Sequence, residues 1–164
     1  MSTEMSGVVA RTATHPGRAA AWLAKQVELG LGEVGLSLPQ YRMLILLSEG
    51  SASSSAMARR LAVRPPSVTG LTDGLVARGL IQRRHADTDR RTVSHELTAE
   101  GRRVLSQADR GVEARLREIA GSLGEPALEA QAFDALRLWL HAMAAHRQAR
   151  LASTEARGDA AVRP

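Results

Sequence analysis

Between Arg83 and Thr98 the chain reads RRHADTDRRTVSHELT. Arg83, Arg84, Arg90 and Arg91 carry planar guanidinium forks whose donors match the oxygens of a phosphate or carboxylate. Their chemistry is recognition through charge-assisted hydrogen bonds. Two acids, Asp87 and Asp89, stand among them and weaken attraction to a polyanion. A structural role accounts for both. Asp87 can hold a turn through its backbone bonds, and Asp89 can pair with Arg91 and set the direction of that side chain. A solvated hairpin tip accounts for the same charges, so the surrounding pattern has to separate the two readings.

Charge along the chain favours recognition. From Ala52 to Arg103 there are ten Arg and five acidic residues, and the rest of the chain holds twelve basic and twelve acidic residues. The net charge of +5 therefore sits wholly in one central block. A local basic surplus is the electrostatic footprint of a polyanion binder, though solvated surfaces also carry one. Only four of the 164 residues are aromatic, which argues against single-strand binding by base stacking. Ala, Leu and Arg dominate, which favours helices.

Other chemistries lack their residues. There is no Cys, so disulfides, thiol redox switching and thiolate-held metal are excluded. The five histidines do not form a metal pattern; His141 and His146 are five apart, off the i, i+4 spacing of helical ligands. Ser53-Ser54-Ser55 lacks a Gly-x-Ser-x-Gly context and reads as a helix cap. No glycine loop cradles a phosphate. No catalytic residue, metal or cofactor is assigned. The N-terminal stretch has no apolar core of signal-peptide length, and no run approaches the roughly 18 apolar residues of a membrane span. A cytoplasmic chain without membrane contact is expected.

The elements that must position the arginines follow from periodicity and breakers. Residues 1–15 read as a flexible arm. After His15-Pro16-Gly17, the positions Ala19, Trp22, Leu23, Val27, Leu31 and Val34 mark one face of a first helix. Leu38-Pro39 opens a second, nearly all apolar helix that ends at Glu49-Gly50. A short third helix spans about 54–62 and exposes Arg59 and Arg60. Arg64 precedes a proline and belongs to a turn. A fourth helix, about 66–78, buries Val68, Leu71 and Leu75 and stops at Gly79. Two strands follow, 80–85 and 92–97, with Ile81, Val93 and Leu97 on one face. Thr98 caps a fifth helix to about Leu123, and a sixth runs from Pro126 to about Arg150. The tail 151–164 reads as disordered.

A short helix, a tight turn and a second helix form a helix-turn-helix, whose second helix meets base edges with its N-terminal residues. Here these are Ser67, Val68 and Thr69, with Val68 also read as a core residue. The hairpin beside them strengthens the signal, because Arg suits phosphates and a narrow minor groove.

The segments LSLPQYRMLILLSEG, MARRLAVRPPSVTGLTDGLVARGLI and RRHADTDRRTVSHELTAEG, from about Leu38 to Gly101, resemble the MarR family of bacterial transcription regulators. The resemblance implies a mainly α fold with a small two-stranded β-wing, a winged helix-turn-helix over 38–103. Dimerisation helices from both termini, 16–37 and 104–150, would complete it. It implies a homodimeric repressor that binds a palindromic double-stranded operator and is released by a small aromatic or phenolic ligand. On this sequence the wing motif falls on Asp89 and Arg91, with Arg91 in the minor groove and Asp89 orienting it. Arg59, Arg60, Arg64, Ser67, Val68, Thr69, Gly70 and Asp73 join Arg83, Arg84 and Arg90 as candidate DNA contacts. Candidate ligand contacts are Trp22, Gln26, Tyr41 and Leu44, of which Trp22 and Leu44 also read as core.

One departure matters. Many members of the family carry Arg or Lys where this chain has Gly70 and Gly74. More of the electrostatic attraction then falls to Arg59, Arg60, Arg64 and the wing, unless the glycines admit a closer DNA backbone. The same glycines motivate a second reading, a winged-helix protein-interaction module without specific DNA binding. Trp22, Leu23, Val27 and Leu31 of the first helix and Phe133, Leu136, Leu140 and Met143 of the sixth need cover, which a second copy related by a twofold axis would supply.

Overall fold

A computed structural model describes residues 15–86 and 89–160, with the side chains of 85–92 and 150–160 outside that description. The expected flexible arm lies outside the described residues except for His15. The chain divides into two compact units at the step from Leu116 to Arg117.

In the first unit, helix α1 (Pro16–Gly30) begins with its proline in the first turn, where a missing N–H costs nothing. A 3-10 turn, Gly32–Val34, and Gly35 at φ 60° reverse the chain. Helix α2 (Leu38–Ser48) opens on a capping box. The Ser37 hydroxyl accepts from the Gln40 N–H at 3.4 Å, and the Gln40 side chain accepts from the Ser37 N–H at 3.0 Å. Strand β1 (Ala52–Ser53) leads into α3 (Ser54–Leu61), which Ser53 caps by accepting from the Ala56 N–H. Helix α4 (Pro65–Ala77), strands β2 (Ile81–Ala86) and β3 (Asp89–Leu97), and helix α5 (Ala99–Gly121) follow.

The sheet is antiparallel, in the order β1-β3-β2. The expected two-stranded wing, β2 and β3, forms, and among the described residues a third strand joins it: Ala52 and Ser53, in the Ser-rich stretch that caps α3, pair with His95 and Ser94. In the hairpin Ile81 opposes Leu97 and His85 opposes Val93, so the expected apolar face forms. The core gathers Leu44, Met57, Val68, Leu75, Ile81 and Leu97, all almost wholly buried.

The core does not stop at Arg103. Leu31 from α1 and Val104, Leu105, Ala108 and Val112 from α5 complete it. Leu31 is therefore a core residue, not one awaiting cover from a second copy. Two close crossings make this possible. A Cβ on Gly111 would lie 2.5 Å from the Gly30 carbonyl oxygen, and one on Gly30 would lie 2.8 Å from the Val112 Cα. Only glycines let the α1 and α5 backbones approach so closely.

In the second unit, helix α6 runs from Pro126 to Ala160. It passes the expected end by ten residues, so the tail is helical to Ala160. The reason is local: Leu151 to Arg157 contains no glycine or proline, and Ala, Leu, Glu and Arg all favour helix. Arg117 lies over the Phe133 ring, 5.1 Å from its centroid. Leu138, Trp139, Leu140 and Met143 are exposed. Among the described residues, no helix is long and apolar enough to cross a membrane.

Candidate nucleic-acid interface

The turn between α3 and α4 is only three residues long, 62–64. Ala62 takes the left-handed conformation at φ 56°, and Val63 donates back to the Ala58 carbonyl, closing α3. Arg64 is extended and starts α4 without a side-chain cap. Pro65 and Pro66 have no N–H, and Ser67 donates its own to the Arg64 carbonyl. The N-terminus of α4 therefore offers few free donors for a phosphate, and recognition there falls to side chains.

The outward face of α4 carries Ser67, Thr69, Gly70 and Asp73, all exposed. Val68 is fully buried, so it is a core residue and not a DNA contact. Thr72, on the same buried side, donates to the Thr69 carbonyl at 2.9 Å. A Cβ at Gly70 would meet nothing within 4 Å, and one at Gly74 would meet only the Gln40 amide nitrogen at 3.7 Å. Neither glycine is demanded by packing. Gly70 leaves a bare patch in the centre of the exposed face.

Ion pairs redistribute the basic charge. Arg83 on β2 pairs with Asp73 on α4 and ties the wing to this helix. Arg84 donates to Glu96 across the strands at 2.8 Å, and Arg60 pairs with Glu49. The Gln82 amide and Arg84 together hold the Glu96 carboxyl below the usual carboxylate range. Arg78 donates to the carbonyls of Gly35 and Val34 at 2.8 and 2.9 Å, a structural anchor for the C-terminal end of α4. Arg59 and Arg64 are exposed and form no ion pair among the described residues. Asp89, Arg90 and Arg91 lie on the backbone of β3, but their side chains are outside the described residues, as is all of Asp87.

The four candidate ligand residues differ in their surroundings. Leu44 is sealed in the core, and Trp22 is 65% exposed rather than core. Gln26 accepts from Arg115 at 3.0 and 2.8 Å, tying α1 to α5. Tyr41 donates to Asp109 at 2.6 Å, tying α2 to α5. Burial and that carboxylate push the Tyr41 phenol well above its ordinary value. A concavity of about 360 Å³ lies beside the glycine crossing, lined by Gly30, Glu33, Val34, Gln107, Arg110 and Gly111.

Sequence reading missed the partners more than the residues. Neither Asp73–Arg83, Tyr41–Asp109 nor Gln26–Arg115 has a signal in spacing: the last two join elements far apart in the chain, and the first joins a helix to the strand after it only once the chain turns back. His95 is 3% exposed, and its Nδ1 has no hydrogen-bond partner among the described residues. Burial holds its imidazole below the ordinary value.

Comparison with known proteins agrees with this arrangement. Residues 36–93, from the end of the α1–α2 turn into the wing, match the MarR family model. A transcriptional repressor of Bacillus subtilis, YetL, is 40% identical over 76 residues, covering 44% of this chain and 46% of the repressor. The chain spans about half the length of the first curated relatives it matches. It covers more of the Mycobacterium tuberculosis repressor Rv2887, to which it is 30% identical over 110 residues, 66% of this chain and 79% of that one. The solved repressor CouR, bound to a 23-mer DNA duplex, superposes with a TM-score of 0.65 at 25% identity, over 88% of this chain and 97% of CouR. With helix-turn-helix, wing and this extent of likeness together, the chain belongs to the MarR family.

Proposed function

We propose that the chain is a homodimeric repressor that binds a palindromic double-stranded operator and is released by a small aromatic or phenolic ligand. One observation carries the DNA reading. Arg59 and Arg64, exposed and outside the ion pairs, flank the start of a helix whose outward face offers the hydroxyls of Ser67 and Thr69 beside a wing. Arginines there reach phosphates, and hydroxyls reach base edges or phosphates. Arg91, preceded by Asp89, is assigned to the minor groove. CouR, solved on a DNA duplex, supports the same use of this fold. The exposed Trp22 on α1 and the exposed Trp139, Leu140 and Met143 on α6 support a second copy, since apolar groups of this size favour cover. A twofold dimer sets two recognition helices about 34 Å apart, one turn of DNA. For the ligand, Trp22, Gln26 and Tyr41 remain as contacts and Leu44 is dropped.

The test is fluorescence polarisation with the DNA upstream of the chain's own gene and with a random-sequence duplex, at several salt concentrations. Sequence preference and a steep fall of affinity with salt are expected. Equal, salt-insensitive binding to both duplexes would sink the reading. The second reading, a protein-interaction module, draws on the neutralised Arg60, Arg83 and Arg84. Arg91→Ala discriminates, because loss of operator affinity is expected only of a DNA-binding wing.

A further inference from the structure

His95 is a buried titratable group that the DNA-binding reading leaves unused. It lies in β3, the middle strand, directly opposite Ala52 of β1 and Arg83 of β2. Cross-strand partners project to the same face, and along these strands that face also carries the buried Ile81 and Leu97. The imidazole is thus inserted at the margin of the core, where the strand pattern calls for an apolar residue. Among the described residues its Nδ1 finds no partner, a cost that an apolar residue would avoid.

The charged groups that act on the ring are Arg83, beside it on β2, and Asp73 on α4. Arg83 is itself paired with Asp73. Of the other helices packed on β3, α2 sends Arg42 to the Leu61 carbonyl, and α3 sends Arg60 to Glu49. The side chains of His85 and Arg91 are outside the described residues. A neutral ring is compatible with these surroundings. A cationic ring would stand next to Arg83 with a single carboxylate, Asp73, to serve both. Burial and Arg83 disfavour the proton, while the Ala52 carbonyl and Asp73 draw it in.

We propose that His95 is an acid-operated latch at the root of the wing. Its neutral ring seats β2 and β3 on the core and leaves Asp73 to Arg83. Protonation unseats the ring, loosens the tie between wing and recognition helix, and lowers affinity for DNA. The DNA half of this rests on the function proposed above; the latch itself does not.

The experiment compares the full chain with His95→Val and His95→Gln. The DNA probe is the tightest duplex recovered from a random-sequence pool, titrated at constant ionic strength. As pH falls through the value at which the folded-state ring titrates, the wild type is expected to lose affinity more steeply than either variant, by at most about tenfold per pH unit, the limit for one linked proton. Its urea midpoint should begin to fall earlier, below about pH 6.5, where the unfolded chain takes up the proton first, while theirs stay flatter. In the wild type, nuclear magnetic resonance of labelled histidine should find the His95 ring neutral well below its ordinary value. Equal pH slopes in all three proteins, or a His95 ring that titrates near the ordinary value of about 6.5, would overturn the latch. If the valine variant does not fold, the glutamine variant and the ring titration decide. If no duplex binds at any pH, the DNA reading fails, and the urea and ring measurements still decide the latch.

Discussion

Ala62 holds the turn of the helix-turn-helix in the left-handed region, where a Cβ crowds the neighbouring carbonyl at a cost of about 1–2 kcal/mol. Glycine removes that strain but adds freedom to the unfolded chain, worth about 0.4–1 kcal/mol. Ala62→Gly is therefore expected to raise stability by up to about 1 kcal/mol, and Ala62→Val to lower it, in urea unfolding. Gly70 is the converse case. A Cβ there meets open space, so Gly70→Ala should stabilise α4 by about 1 kcal/mol. Gly70→Arg should also raise DNA affinity and steepen its salt dependence by about one unit of log–log slope. His95 sets a pH dependence of stability. Its folded-state affinity for a proton is depressed, so the unfolded chain binds the proton more readily. Its contribution is fully present above about pH 6.5 and is lost as pH falls below that, which urea midpoints across this range would detect. Arg83 and Asp73 could each be named from the sequence, but their pairing could not. A strand position and a helix position ten residues apart meet only once the hairpin folds back on α4.

At the level of elements, the junction of α4, β2 and α5 is the most constrained. The Thr98 hydroxyl donates to the Gly79 carbonyl at 2.7 Å and accepts from the Gly101 N–H at 2.9 Å. A Cβ on Gly101 would lie 1.9 Å from the Leu80 carbonyl oxygen, and backbone cannot yield as a flexible side chain does. Gly101→Ala is expected to cost about 3 kcal/mol, read as a lowered urea midpoint. The same clash would shift the wing, so DNA affinity should fall with it. The six helices were legible because apolar spacing, prolines and caps agreed along each segment. The hairpin was legible from alternation around a charged tip. Strand β1 was not, because two residues of a Ser-rich stretch carry no period. Ala52 and Ser53 become a strand because β3 supplies the partner backbone. The helical stretch of 151–160 was not legible for a different reason: its polar composition suits a loose tail while its helix propensity suits a helix, and the two signals conflict.

For the whole molecule, the count of charge and its placement lead to different expectations for individual arginines. Arg59→Ala and Arg64→Ala should each weaken DNA binding across sequences and reduce the salt slope by about one. Arg78→Ala removes the same formal charge from the same central block. Its guanidinium is anchored on the Gly35 and Val34 carbonyls, so the loss should register in thermal stability and leave the salt slope nearly unchanged. Equal slopes for Arg64→Ala and Arg78→Ala would refute this division. The sequence by itself determined the order of the elements, the location of the basic surplus and the family likeness. All three rest on local periodicity, composition and motif spacing, which need no fold to be read. Only the tertiary structure decided which arginines are already paired, that Val68 and Leu44 are sealed in the core, and that α1 and α5 cross on glycines. It alone placed a buried histidine between Ala52 and Arg83. The physical reason is common to these cases: burial and pairing are properties of contacts between distant segments, and no local pattern carries them.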